Sequence, residues 1–376
     1  MTIHFIQKNS EMDAIKKHEW PHCAEQAVKH ILSQCQKFNQ TGVPSAAQLS
    51  SLIEVIDEFI FSWSSPASGG RSGKRRTGRL TSIQQLTLVQ MLAEIFSADQ
   101  DFNLLCSAFM ILFMVQGKDL EYKVNTLARL LSYALSVNAV VILNFGGVWL
   151  TQQTPTDVHS LAIARVLVSD WVSSPSHAHL HSLPAQSPLF TTNLLASLGE
   201  LYSGVTSGGQ PDHVTSYSPP PAQVTSLVTA WLRSGHEETA SGHGSLNVPV
   251  PDTSPAASLL PWSVFSPLDS KDKEDKRSSI DSLLHMTLVH IVMTSSSSQL
   301  PPKYLTHLTD SLLARLTSSS ETYSPEQVEE ALDRYGQLMA AAMTGNKLKL
   351  DKDHVTQMKK LPENRLVSIV LKRTSI

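Results

Sequence analysis

The chain has 376 residues, enough for one large or two ordinary domains, and its 41% hydrophobic content can fill a substantial core. A formal net charge of -3, from 30 basic and 33 acidic residues, excludes a global pull toward nucleic acid or acidic membranes. Three cysteines, Cys23, Cys35 and Cys106, argue against a disulfide framework and fit a reducing compartment.

The first helical pattern runs from about Glu11 to Phe38, with a break or kink at Trp20-Pro21. Nothing before it has the basic start and long apolar run of a secretory signal. Ser45 with Gln48 forms a capping box for the next helix, which carries Leu49, Leu52, Ile53, Ile56, Phe59 and Ile60 on one broad face. A Gly-Ser-rich loop with the basic residues Arg71, Lys74, Arg75, Arg76 and Arg79 follows. Thr81 and Gln84 repeat the box before a helix from Ile83 to Phe96, which is apolar on most sides and so predicted to lie inside the domain.

Further helices fit Asp101 to Val115, Leu120 to Val137, Val140 to Leu150 and Pro155 to Val172. The last of these has Thr154 as its cap, Pro155 at the first position and Asp157 in the first turn. The apolar runs Leu104 to Val115 and Ala134 to Leu150 are too short or too interrupted to span a membrane, which takes roughly 20 apolar residues. Helices also fit Ser187 to Tyr202, Pro221 to Leu232, Ser279 to Met293 and Pro301 to Leu316.

Residues 203 to 220 read as a loop. Between Ser234 and Ser279, Gly, Ser, Pro and His rise and apolar spacing disappears, which predicts a mostly mobile loop. Leu259 to Leu268 is the exception, with Trp262, Val264 and Phe265 expected to dock on the domain or on a partner.

Near the C-terminus, Ser324, Pro325 and Gln327 open a helix whose stripe is Ala331, Leu332, Tyr335, Leu338, Met339, Ala342 and Met343. Glu330 and Arg334 fall on its wetted side, and Gly345 offers a left-handed terminator. A short helix from about Lys352 follows, and Pro362 separates it from a third around Arg365 to Leu371.

These elements predict an all-α protein, an irregular α-solenoid or HEAT-like stack of antiparallel helix pairs with long mobile loops. A single all-α globule is the alternative. The expected organisation is an N-terminal helical segment (1–45), a helical repeat-like domain (46–233), a flexible loop (234–278) and a C-terminal helical segment (279–376) packing on the preceding domain.

The basic loop 71–79 reads as a nuclear-import signal, an RNA phosphate contact or a solvated loop, and no aromatic platform is interleaved with it. It mimics a phosphate-binding P-loop only superficially, since Ser68 stands at the first glycine position and Arg75 at the magnesium-binding hydroxyl. His177, His179 and His181 alternate without a nearby Cys and read as a surface loop rather than a zinc site. His22, Cys23, His30 and Cys35 read as buried thiols with surface imidazoles. No nucleophile elbow, zincin motif or dinucleotide fingerprint occurs, so a non-catalytic chain without cofactor or metal is expected. Trp149, Trp171, Trp231 and Tyr335 read first as core residues and second as partner contacts.

The run A-L-D-R-Y-G-Q-L-M-A-A-A-M-T-G with L-P-E-N-R-L-V-S-I-V is similar to the C-terminal helices of the Integrator complex subunit 15 family. Leu80 to Phe96, Val148 to Pro155, Leu161 to Val172 and Ile280 to Thr294 resemble the same family in the same order, so the resemblance spans roughly residues 48 to 372 and leaves 1 to 45 unmatched. It implies a nuclear, non-catalytic scaffold in the assembly that cleaves nascent transcripts at RNA polymerase II and matures small nuclear RNAs. The implied partners are other Integrator subunits, particularly those linking the module of subunits 10, 13 and 14 to the core. A nuclear RNA-binding adaptor using the basic loop is the alternative reading.

Overall fold

The computed structural model describes residues 15, 19–65, 76–98, 101–117, 119–173, 178–202, 219–240, 255–269, 275–294, 302–318, 323–346, 348 and 350–374. The chain divides into two compact units, Met1–Trp149 and Leu150–Ile376. As the apolar spacing implies, the fold is all-α. Among the described residues no helix is long and apolar enough to cross a membrane.

The first unit begins with α1 (His22–Thr41), directly after the predicted break at Pro21. The earlier part of the predicted helix lies mostly outside the described residues. In α2 (Ala46–Val55) the Ser45–Gln48 box is formed, with the Ser45 N–H donating to Gln48 Oε1 at 2.8 Å. The helix continues as a π-turn, Ile56–Ile60, which buries Ile56, Phe59 and Ile60. Where the sequence suggested only a loop, β1 (Ser62–Ser65) and β2 (Arg76–Arg79) pair antiparallel, Ser62 opposite Arg79. These strands lack the β-branched alternation by which strands are recognised, so backbone pairing alone reveals them.

Then come α3 (Ser82–Phe96), α4 (Phe102–Leu112), α5 (Leu120–Ser136) and α6 (Val140–Gln152). The core here is aromatic. Phe96 and Phe109 meet edge-on at 5.4 Å between centroids, and Phe145 lies 6.1 Å from the first and 5.6 Å from the second. Trp149 is buried as expected and donates its indole N–H to the Phe113 carbonyl at 2.8 Å. Lys123, only 3% exposed, reaches Asp57 at 2.6 Å and the Gln116 carbonyl at 3.2 Å. α3 departs from expectation: Leu88, Val89, Leu92 and Phe96 are buried, but Ile83 is 79% exposed and Leu86 also faces out.

In the second unit, α7 (Val158–Ser173) starts later than predicted, because Asp157 rather than Thr154 caps it, accepting from the His159 N–H at 2.8 Å. Next are α8 (Leu183–Gln186), α9 (Pro188–Leu201) and α10 (Ala222–Ala240). Trp171 and Trp231 are buried edge to face, 5.8 Å apart.

The stretch expected to be mostly loop contains α11 (Pro255–Ser258) and α12 (Leu260–Asp269); residues 241–254 and 270–274 lie outside the described set. α12 is core, with Trp262, Val264 and Phe265 at most 1% exposed. Its prolines disguised it. Pro255 and Pro261 sit at helix starts, where no amide is needed, but Pro267 is inside the helix. Pro267 cannot donate to the Ser263 carbonyl one turn back, and the Ser266 hydroxyl and Arg334 donate there instead, each at 3.1 Å.

The chain ends with α13 (Asp275–Thr294), α14 (Pro302–Thr317), α15 (Pro325–Thr344), α16 (Lys352–Met358) and α17 (Arg365–Thr374). α15 packs on α12, α13 and α17 and is the hub of the unit. Its Ser324–Gln327 capping box is formed and its predicted stripe is buried except for a half-exposed Met343. Arg334 is not on the wetted side: it is 6% exposed and donates to the Ser263 carbonyl, Ser266 and Ser282 hydroxyls and Glu330. Gly345 is not left-handed either, at φ -74; Asn346 takes that conformation at φ 54. Glycine fits there because a Cβ would lie 3.0 Å from the Val292 carbonyl, a contact that would push the two helices slightly apart.

Candidate partner-docking surfaces

Asn364 sets the angle between α15 and α17. Its side-chain oxygen accepts from the Leu366 and Val367 amides at 2.9 and 3.1 Å, capping α17. Its amide donates to Asp333 on α15 at 2.8 Å. Close approach next to this bond requires Gly336, since a Cβ there would lie 2.8 Å from Leu366 Cβ.

Toward Pro325 the same two helices bound a groove of about 900 Å³. Its apolar lining includes Val328, Leu332 and Ile369. Glu329 and Glu363 line it together with Arg365 and Lys372, and none of the four makes an ion pair among the described residues. The Tyr323 hydroxyl, also in the lining, is buried without a hydrogen-bond partner. An apolar floor, a spare donor and unpaired charges suit a peptide guest.

A second surface lies on α13. Its inner side buries Leu284, Leu288 and Val292, while Leu283, Met286, His290 and Met293 are exposed along the outer side. The helix is therefore apolar on two faces, and the unit covers one of them.

The sequence model of the family described as Integrator complex subunit 15 matches residues 9–363. The chain belongs to this family. Integrator complex subunit 15 of Drosophila melanogaster is 25% identical over 375 residues, 95% of this chain and 94% of that protein. Its namesake from Mus musculus is 25% identical over 364 residues, 85% of this chain and 77% of that protein. The match to the Integrator complex subunit 15 family begins at residue 9, so it takes in most of the segment 1–45 that residue patterns had left unmatched.

Arg71, Lys74 and Arg75 lie outside the described residues, and Arg76 begins β2. Arg79 is exposed and its guanidinium is 2.9 Å from Asp119. His177 is outside the described set, while His179 and His181 fall in the 3-10 turn Ala178–Ser182. Cys23 and Cys35 are buried free thiols, and burial pushes the Cys35 thiol up to about 11, far from a reactive thiolate. His22 turns to Glu25, 3.8 Å away. Among the described residues no three His, Cys, Asp or Glu side chains are grouped to hold a metal ion.

Two buried networks contain acid-base groups that apolar spacing could not reveal. Ser263 Oγ is 2.7 Å from His285 Nδ1, and His285 Nε2 is 2.8 Å from Gln337 Oε1. This superficially resembles a nucleophile with its base, but Ser263 is 0% exposed and no substrate reaches it. Burial holds His285 below the ordinary histidine range, with the hydrogen bond to Gln337 opposing. In the other network, Thr309 Oγ1 is 2.6 Å from the Tyr335 hydroxyl and 2.7 Å from His354 Nε2. Burial likewise lowers His354 and raises the Tyr335 phenol. Both networks tie helices together: α12 to α13 to α15, and α14 to α15 to α16.

Proposed function

We propose that this chain is a non-catalytic scaffold subunit of the nuclear Integrator complex that bridges other subunits of that assembly. The observation carrying the reading is the family match over residues 9–363, which runs through both compact units. The surfaces support it physically. The α15–α17 groove and the outer side of α13 offer apolar side chains to solvent, as partner-binding surfaces do. Of the two Ser–His pairs among the described residues, Ser263–His285 is sealed in the core, and His307–Ser311, 3.1 Å apart, lies one turn apart on the exposed side of α14.

On this reading the chain serves small nuclear RNA 3′-end processing and RNA polymerase II regulation through neighbours that carry the chemistry. Those neighbours are the module of subunits 10, 13 and 14 and the core. The loop residues Arg71, Lys74, Arg75, Arg76 and Arg79 serve nuclear import. Alanine at Lys74, Arg75 and Arg76 is expected to reduce nuclear accumulation while assembly persists; a lost, salt-steep RNA affinity would favour phosphate contact instead. The direct test is purification of the tagged full chain from nuclear extract with mass spectrometry. Integrator subunits should accompany it in constant ratio, and recovery without any of them overturns the proposal.

A further inference from the structure

Four Ser-Pro or Thr-Pro pairs have both members among the described residues: Thr154-Pro155, Ser187-Pro188, Ser266-Pro267 and Ser324-Pro325. A kinase that selects proline after its target asks two things of a folded substrate. The hydroxyl must be open to phosphoryl transfer, and the proline ring, with its fixed φ and missing amide, must be open to the enzyme. Three of the pairs fail. Ser187 is fully buried. Ser266 is engaged with the Ser263 carbonyl and with Arg334, and Pro267 is buried inside α12. Thr154 is exposed, but Pro155 is buried, and the Thr154 hydroxyl lies 3.1 Å from that of Thr156.

Ser324 differs on each count. It and Pro325 are both exposed. Its backbone is extended, at φ -71 and ψ 152, the form that a residue before proline favours and that an extended peptide presents. Among the described residues its hydroxyl serves only as an acceptor, from the Gln327 amide at 3.3 Å, so its proton is not committed elsewhere.

We infer that Ser324 is a phosphorylation site for a proline-directed protein kinase, with the γ-phosphoryl group of ATP as its donor. The kinase's base takes the Ser324 proton and Oγ attacks the γ-phosphorus. The new O–P bond forms as the bond to the bridging oxygen breaks, and ADP leaves. The ester oxygen still accepts from the Gln327 amide, so the cap of α15 survives the change. Tyr323 and Pro325, on either side of Ser324, line the α15–α17 groove, so the phosphate sits at its rim. Glu329 and Glu363 balance Arg365 and Lys372 in that lining before modification. A phosphate adds a charge of about -1.5 to -2 and turns the balance acidic, which changes the peptide charge the groove accepts. This goes beyond the subunit reading and does not rest on it.

The test incubates the folded full chain with a mitogen-activated protein kinase and ATP and maps the product by mass spectrometry. Phosphate should enter Ser324 about tenfold or more faster than Thr154. Pro325→Ala should slow labelling of Ser324 about tenfold or more, and alanine also suits the first helical position, so the fold is kept. The chain isolated from cells with phosphatase inhibitors should carry the same phosphopeptide. Ser324 unmodified in either preparation overturns the inference. So does labelling that appears only after heat denaturation, equal labelling of Thr154, or an unchanged rate in Pro325→Ala.

Discussion

The aromatic cluster of the first unit and the Arg334 cluster of the second solve the same packing problem with different materials. Around Phe109, rings of Phe96, Phe113 and Phe145 meet at centroid distances of 5.4, 5.0 and 5.6 Å, and dispersion with water exclusion does the holding. Around Arg334, one guanidinium reaches two serine hydroxyls, a carbonyl that Pro267 cannot serve and a carboxylate. The first arrangement tolerates no cavity. The second depends on a buried cation that is costly to leave without its acceptors.

Perturbing each cluster separates the two kinds of cohesion. Phe109→Ala should have the largest effect, a loss of about 3–5 kcal/mol in denaturant unfolding, since a ring is removed from a close-packed site. Arg334→Met keeps the stem and deletes the donors, and should cost about 2 kcal/mol, because the charge-assisted bonds are lost and the Ser263 carbonyl keeps only the Ser266 hydroxyl. A neutral outcome for Arg334→Met would mean that the polar ties add nothing to packing.

Acidification should then distinguish the units. His285 and His354 have lowered affinity for protons in the folded chain because they are buried, so the unfolded chain binds more protons as pH drops. Their stabilisation is full above the ordinary histidine pKa of about 6.5 and is lost as pH falls below it. The melting temperature should fall between pH 7 and pH 5, and His354→Gln should flatten that slope. Smallest are the caps: Thr81→Ala in one unit and Ser324→Ala in the other should each cost about 1 kcal/mol, equally.

Local signals in the sequence carried far. The capping boxes at Ser45, Thr81 and Ser324 are formed as their residue types dictate, and Trp149, Trp171, Trp231 and Tyr335 are core. What escaped depends on distant partners. Arg334 with Glu330 looks like a surface pair by spacing, and its burial answers to acceptors on two other helices, the Ser263 carbonyl and Ser266 on α12 and Ser282 on α13. Docking of Trp262, Val264 and Phe265 is legible in the sequence, but the helix α12 that carries them is not, because proline and serine counts say nothing about which amides are dispensable. Gly345 looks like a helix stop, yet it answers to the Val292 carbonyl on α13. The groove beside α17 depends on the Asn364–Asp333 bond, and the α13 face on which of two apolar sides the unit covers.

Hydrogen exchange of the full chain, alone and within the purified complex, probes at residue level the proposal that exposed apolar faces are completed by partners. Amides of α13 and of the α15–α17 pair should gain protection on assembly, while the buried Phe109 and Trp262 helices change little. Identical exchange in the two states would contradict it.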